Sequence, residues 1–288
     1  MHHLGFIGGV EKSVLAPEFR EKLSPPKRIK TKYGLTSPIK TLKLDGQKYA
    51  FVFRHGVEKI EITAPFVNYR ANIYALKSLG VSRIVSFNTV GSLTKDVKVG
   101  DVILCDDFID LADHMRRTFF TAKKSRHVRM HPAFCPDLMQ KLFEAGGFLG
   151  GRLKNGGVYV CVNGPRLETA AEIRYLRIIG GDVVGMTMAT EANLARELDM
   201  CYAPVCYSID YAEGVYRSPD GKNILVPEEE RMLKNEAVKV FTKILAGVLK
   251  TADAPKTCQC ELYGYLTIEP QKSQTVVEMA GNKPAVRK

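Results

Sequence analysis

The residues best suited to chemistry stand just after short apolar runs. Gly8-Gly9 follows Leu4 to Ile7, Arg54-His55-Gly56 follows Tyr49 to Phe53, and Asn88-Thr89-Val90-Gly91-Ser92 follows Arg83 to Phe87. Further along, Asn163-Gly164-Pro165-Arg166-Leu167-Glu168, Gly185-Met186-Thr187 and Asp210-Tyr211 each follow another such run. Gly8-Gly9, Arg54, His55, Thr89 and Thr187 suit an oxyanion. Glycine turns expose backbone N–H groups, a guanidinium matches paired oxygens, and hydroxyls complete the shell. Glu168 and Asp210 carry carboxyls that accept hydrogen bonds, or donate when protonated, and suit a heterocyclic base. Each residue also has a plainer reading. A glycine turn can be only a turn, Arg54-His55 a surface pair, Asp210 a helix cap and Met186 core filler. Glu168 could sit in a first helical turn, where the macrodipole favours acids. Taken together, these residues point to a small anionic or polar ligand in an α/β enzyme.

The elements behind them alternate. Strands are predicted at residues 4–9, 49–53, 83–87, 101–109, 157–162, 183–184 and 201–209. Helices are predicted at 67–79, 136–145, 168–179, 191–198 and 228–249, several closed by glycine. Residues 11–45 are polar and rich in Pro and Lys, and read as loop with a short edge strand. The alternation predicts βαβ units in one domain: a central mixed, mainly parallel sheet flanked by helices. Ligands of such folds collect beyond the carboxyl ends of the strands, where the residues above stand. Residues 251–288 hold little apolar periodicity. They read as a C-terminal extension to a domain of residues 1–250, with one short strand within 262–268.

Composition narrows the class. The 288 residues are 45% hydrophobic and 25% charged, a globular composition. No run of about 18 apolar residues could span a bilayer, and the N-terminus lacks a signal-peptide pattern, so a cytoplasmic location is expected. The net charge is +11. The basic residues are dispersed, with groups at 22–32 and 116–129, the latter including Lys123, Lys124 and Arg126. They read as solvated loops rather than a nucleic-acid patch. Seven cysteines, an odd number mostly in apolar runs, fit a reducing compartment. Cys258-Gln259-Cys260 stands isolated in the sequence, without a second ligand pair, so no metal is expected.

The chain resembles the purine nucleoside phosphorylases, in the family that includes methylthioadenosine and methylthioinosine phosphorylases. The resemblance lies in Gly5-Phe6-Ile7-Gly8-Gly9, Arg54-His55-Gly56, Val67-Asn68-Tyr69-Arg70-Ala71-Asn72-Ile73, Asn88-Thr89-Val90-Gly91-Ser92-Leu93 and Phe134-Cys135-Pro136. It continues through Gly164-Pro165-Arg166-Leu167-Glu168-Thr169, Gly185-Met186-Thr187 with Glu191-Ala192, and Ser208-Ile209-Asp210-Tyr211, and covers roughly residues 4–250. It implies the nucleoside phosphorylase-like fold and phosphorolysis. Inorganic phosphate is then co-substrate, with no cofactor, and the products are a free purine and a ribose 1-phosphate. By motif, Gly9, Arg54, His55, Thr89 and Thr187 would hold phosphate. Val90, Gly91, Leu167, Glu168 and Met186 would line the nucleoside, and Asp210 would face purine N7 and the 6-substituent as the catalytic residue. His127 would reach the 5′ end of a nucleoside in a neighbouring subunit. The family's usual assembly implies a homotrimer or hexamer.

Two departures leave alternatives. The glycine turn runs on as Val10-Glu11, without the family's hydroxyl and with an acid that would repel phosphate if it faced the site. Nucleosidases that use water carry an acid nearby, so a purine nucleosidase is one alternative. Against it, hydrolysis would leave Arg54 without an anion. Asp210 accepts from a 6-amino group and favours methylthioadenosine or adenosine, whereas Glu168 resembles the 6-oxopurine branch that takes inosine, guanosine or methylthioinosine. Ala212 stands where adenine-type enzymes place a second Asp. A non-catalytic nucleoside-binding relative is the remaining reading.

Overall fold

The computed structural model describes residues 4–113, 117–121, 125–216, 227–262 and 266–268. Along the chain run β1 (Leu4–Val10), α1 (Pro17–Arg20), β2 (Lys30–Thr31), β3 (Gly34–Leu35), β4 (Ile39–Leu44), β5 (Gln47–Gly56), α2 (Tyr69–Ser78) and β6 (Arg83–Ser92). Then come β7 (Val102–Leu104), β8 (Asp107–Asp110), β9 (Ser125–His127), α3 (Pro136–Gly146), β10 (Leu153–Asn155), β11 (Val158–Cys161) and α4 (Ala170–Ile178). The last elements are β12 (Val183–Gly185), α5 (Met188–Glu197), β13 (Cys201–Tyr211), α6 (Pro227–Lys250) and β14 (Leu266–Ile268).

The main sheet has the order β10-β7-β13-β6-β1-β5-β4, and β11, β12 and β8 branch from it where β12 pairs with β6. The central strands β13, β6, β1 and β5 are parallel, while β4, β7 and β12 join antiparallel. Side chains alternate across these strands as the pleat requires. Ile7, Ala50, Val52 and Ile84 face a layer containing α2 and α5, while Phe6, Phe51, Phe53, Val85 and Phe87 face a layer containing α3 and α6. Strands buried on both faces read as continuous apolar runs, which is why they were legible as short hydrophobic segments.

Helix starts follow local chemistry. Asn68 accepts from the Ala71 N–H at the head of α2, and Thr169 and Glu172 form a reciprocal capping box at α4. Several expectations are corrected. The strand predicted at 101–109 is two, β7 and β8, which pair with different partners. Within residues 11–45 the expected edge strand is β4, at the end of the sheet beside β5, and the hairpin of β2 and β3 is an element that the sequence reading lacked. The short C-terminal strand is β14, which pairs antiparallel with β9. The segment after α6 packs on the body: Ala254 accepts from Arg83, and Cys260 is buried. Cys258-Gln259-Cys260 is isolated only in sequence, because folding brings Cys135 and Cys201 to it. Lys123 and Lys124 of the second basic group lie outside the described residues. No helix among the described residues is long and apolar enough to cross a membrane.

Candidate active site

Because β1, β5, β6 and β13 run parallel, their carboxyl ends share one edge of the sheet. There Val10 lies opposite Gly56, Thr89 opposite Tyr207, and Gly91 opposite Asp210. The antiparallel β12 sets Val184 against Gly91 from the other side and so delivers Gly185-Met186-Thr187 to the same edge. Gly9, His55, Thr89, Val90, Gly91, Met186, Thr187 and Asp210 therefore lie along this one edge of the sheet. Thr89 is exposed there while most of β6 is buried.

Beneath this edge lies a charged network. Arg54 is 2% exposed and pairs bidentately with Glu191 of α5, Nε to Oε1 at 2.7 Å and Nη2 to Oε2 at 3.1 Å. Nη2 also donates to Ser86 Oγ at 2.7 Å, and Nη1 donates to the Phe87 carbonyl at 3.1 Å. Ser86 and Tyr202 hydroxyls donate to Glu191 Oε2 at 3.0 and 2.9 Å. These bonds use four of the guanidinium's five N–H groups. Burial opposes the Arg54 charge, but Glu191 outweighs it and holds the guanidinium pKa above its ordinary value. The network reaches the edge through Asn88. Its Nδ2 donates to Ser86 Oγ at 3.2 Å, and its Oδ1 accepts from Thr187 Oγ1 at 3.3 Å. The premise that only an exogenous anion could match Arg54 is overturned, because Glu191 is that anion.

His55 stands beside the glycine turn; a side chain on Gly9 would begin 3.5 Å from its ring. Its Nδ1 donates to the Ile62 carbonyl at 2.8 Å, which leaves Nε2 of the neutral ring as an acceptor. Burial, then the Arg54 charge, lowers the His55 pKa to about 4. Glu11, the acid expected to repel an anion if it faced the site, is buried with Lys40 Nζ 2.8 Å from its carboxylate. Its charge is thus answered internally.

The other half of the edge is built by close approach. A Cβ on Gly91 would lie 3.1 Å from Asp210 Oδ1 and 3.3 Å from Val184 Cγ1, so glycine lets the carboxyl lie close over β6 and a larger residue would press on both side chains. Gly164, at φ +64°, packs against the Met186 side chain, and an added Cβ there would overlap the sulfur. Tyr159 crosses under Gly185, and its hydroxyl accepts from the Thr187 N–H at 3.3 Å. Glu168 is partly buried, and burial raises its carboxyl pKa. Leu167 is 65% exposed, and His127 is exposed at the end of β9. Leu167 follows Gly164, which packs against Met186, by three residues, and His127 pairs with Leu266 of β14 rather than with a strand of the main sheet.

A family model described as the phosphorylase superfamily matches residues 4–250. The chain belongs to the phosphorylase superfamily. Within it, the chain is 38% identical to the S-methyl-5′-thioadenosine phosphorylase of Thermofilum pendens, over 89% of this chain and 95% of that one. It is 40% identical to the 6-oxopurine nucleoside phosphorylase of Pyrococcus furiosus, over 76% of this chain and 83% of the relative. A crystal structure of a methylthioadenosine phosphorylase from an antarctic soil metagenomic library superposes with a TM-score of 0.76 at 30% identity, covering 91% of this chain and 90% of that one. The superfamily's fold, a mainly parallel sheet with helices, is the one predicted.

Sequence reasoning gave no role to Glu191, Ser86, Tyr202 or Lys40. One signal was available for Glu191. It stands on the buried stripe of α5 with Met188, Ala192 and Ala195, where a carboxylate requires a partner. The Lys40–Glu11 pair spans 29 residues between a short helical turn and β4, and no local pattern announces it.

Proposed function

We propose that this superfamily member cleaves 6-aminopurine nucleosides by phosphorolysis, with 5′-methylthioadenosine as its first substrate. The observation that carries the reading is the register placing Asp210 over Gly91, at the edge where His55, Thr89 and Thr187 also stand. In the reaction the C1′–N9 bond breaks, a phosphate oxygen bonds to C1′, and the electron pair leaves with the purine. Gly9, Thr89, Thr187, His55 Nε2 and the remaining Arg54 N–H would hold phosphate beneath C1′, which fixes the nucleophile in place. His55 Nε2, as an acceptor, would take the hydrogen of a phosphate P–OH. Met186 would lie along the ribose, beside Val90 and Gly91. Asp210 would hold a proton between its carboxyl and N7 as negative charge builds on the purine.

The acceptor character of Asp210 supports a 6-amino group. Glu168 would accept from N1–H of a 6-oxopurine, and relatives of both kinds are similar to this chain. The exposed Leu167 and His127 suit a pocket completed by a second copy of the chain, in a trimer or a hexamer. The deciding experiment is a panel of methylthioadenosine, adenosine, methylthioinosine and inosine, with and without phosphate. Purine release should require phosphate, yield the pentose 1-phosphate and give the highest kcat/KM with methylthioadenosine. Equal release in phosphate-free buffer would overturn phosphorolysis in favour of hydrolysis.

A further inference from the structure

Far from that edge, four cysteines from three parts of the chain meet. Cys201 is the first residue of β13, Cys135 is the N-cap of α3, and Cys258 and Cys260 lie in the segment after α6. Their Sγ atoms all lie within 4.8 Å of one another, and Cys201 and Cys258 are 3.5 Å apart. Cys135, Cys201 and Cys260 are each 1% exposed. Tetrahedral coordination with Zn–S bonds of about 2.3 Å sets sulfurs about 3.8 Å apart, which this spacing brackets.

We propose that Cys135, Cys201, Cys258 and Cys260 form a structural zinc site of four thiolates. Four sulfur ligands are a soft set that selects zinc over magnesium or calcium. They also leave no open position for substrate, so the site is closed rather than catalytic. On binding, four S–H groups release their protons to water, four Zn–S bonds form and the metal loses its waters. The local charge changes from zero on the thiols to −2 on the complex.

Two cationic residues and a helix N-terminus stand near the cluster. Arg83, buried, pairs in register with Cys201 on the neighbouring strand. Lys256 is close enough to Cys201 and Cys258 to act on them electrostatically, and it also pairs with Glu261. Cys135 heads α3, where the helix N-terminus favours a thiolate. The polypeptide around the cluster is already fixed. The Cys135 N–H donates to the Tyr202 carbonyl at 2.9 Å, Thr257 Oγ1 donates to Asp137 at 2.7 Å, and Arg83 donates to the Ala254 carbonyl at 3.3 Å. A metal here would clamp the segment following α6 to the starts of β13 and α3. Asp210 lies nine residues along β13, about 30 Å away at strand rise, so the clamp and the reaction occupy opposite ends of one strand.

The test uses the full, untagged chain purified under reducing conditions from zinc-supplemented medium. Elemental analysis should give one zinc per chain. Replacement by Co²⁺ should give the intense visible bands and near-ultraviolet thiolate charge transfer of a tetrahedral sulfur site. The paired change Cys258→Ser with Cys260→Ser should abolish both signals and lower the melting temperature, while Cys105→Ser should leave both unchanged. Zinc well below one equivalent with a pale octahedral cobalt spectrum would overturn the site. So would mass-spectrometric recovery of disulfides among these four cysteines after zinc-replete purification. The wild-type cobalt spectrum decides the matter even if the double variant folds poorly, and none of these readouts depends on substrate turnover.

Discussion

Arg54 of β5 and Glu191 of α5 meet in a buried, two-pronged ion pair, 137 residues apart in sequence. The Ser86 and Tyr202 hydroxyls both donate to Glu191 Oε2 beside the guanidinium. The pair does two things at once. It ties the α5 layer to the central sheet directly beneath the proposed phosphate position, and it cancels most of the field that a bare guanidinium would project there. On the proposed reading, an anion at this edge would be held by oriented polar groups more than by net charge.

Glu191→Gln tests the pair. The substitution keeps the shape but leaves the Arg54 charge buried without its counter-ion, which costs about 3 to 5 kcal/mol. Denaturant unfolding should show a loss of that size. At temperatures where the variant stays folded, KM for phosphate should rise rather than fall, because Arg54 and Ser86 would no longer hold Asn88 and Thr187 in place. A lowered phosphate KM would mean that Glu191 merely competes with the anion.

His55 predicts a pH dependence of stability. Its folded pKa of about 4 lies below the ordinary 6.5, because burial and Arg54 disfavour the imidazolium. Above pH 6.5 the ring is neutral in both folded and unfolded chains, and its contribution is fully present. As the pH falls below 6.5 the unfolded chain takes up the proton first, so stability drops down to about pH 4 and then levels. The loss from this one group is at most about 3 kcal/mol. Unfolding free energies measured from pH 7.5 to 4 should fall by less in His55→Gln than in the parent. Parallel curves would show that His55 is not the group responsible.

Gly164→Ala probes the nucleoside side. Its positive φ disfavours alanine by about 1 kcal/mol, and the new methyl would push Met186 from its place. KM for the nucleoside should rise several-fold to tenfold, while KM for phosphate stays within a factor of two. Steady-state kinetics with each substrate varied separate the two; equal increases would place Met186 elsewhere.

The sequence made the sheet edge legible for a physical reason. Strands buried on both faces are runs of apolar residues, and the polar and glycine residues that break them at one end are conspicuous. Gly91, Asp210, Met186 and Thr187 announce themselves in this way. What stayed hidden depends on pairing across distance. Glu191 looks like one more acid in a helix until Arg54 is folded against it. Glu11 reads as a threat to an anion until Lys40 arrives from β4. The four-cysteine cluster draws on positions 135, 201, 258 and 260, and its local spacing, a lone Cys-x-Cys, gives no sign of the other pair. The break between β7 and β8 was missed although Asp106-Asp107 interrupts the apolar run there, because two short strands in line read as one until their partners change from β10 and β13 to β11.

Asp210→Asn addresses the choice of base. The Asp210 carboxylate offers only acceptors toward the 6-substituent when ionised, which matches the hydrogens of a 6-amino group and opposes a 6-carbonyl. An amide offers a donor in nearly the same volume, so the change is one of hydrogen-bond polarity at constant shape. A mismatched polar contact in a desolvated pocket costs about 1 to 3 kcal/mol. The ratio of kcat/KM for methylthioadenosine over methylthioinosine should therefore fall by roughly tenfold to a hundredfold. Turnover of both should also slow, because Asn cannot share a proton with N7 as the purine departs. An unchanged ratio would show that Asp210 does not contact the 6-substituent, and would shift base discrimination to Glu168, whose carboxyl pKa is raised by burial.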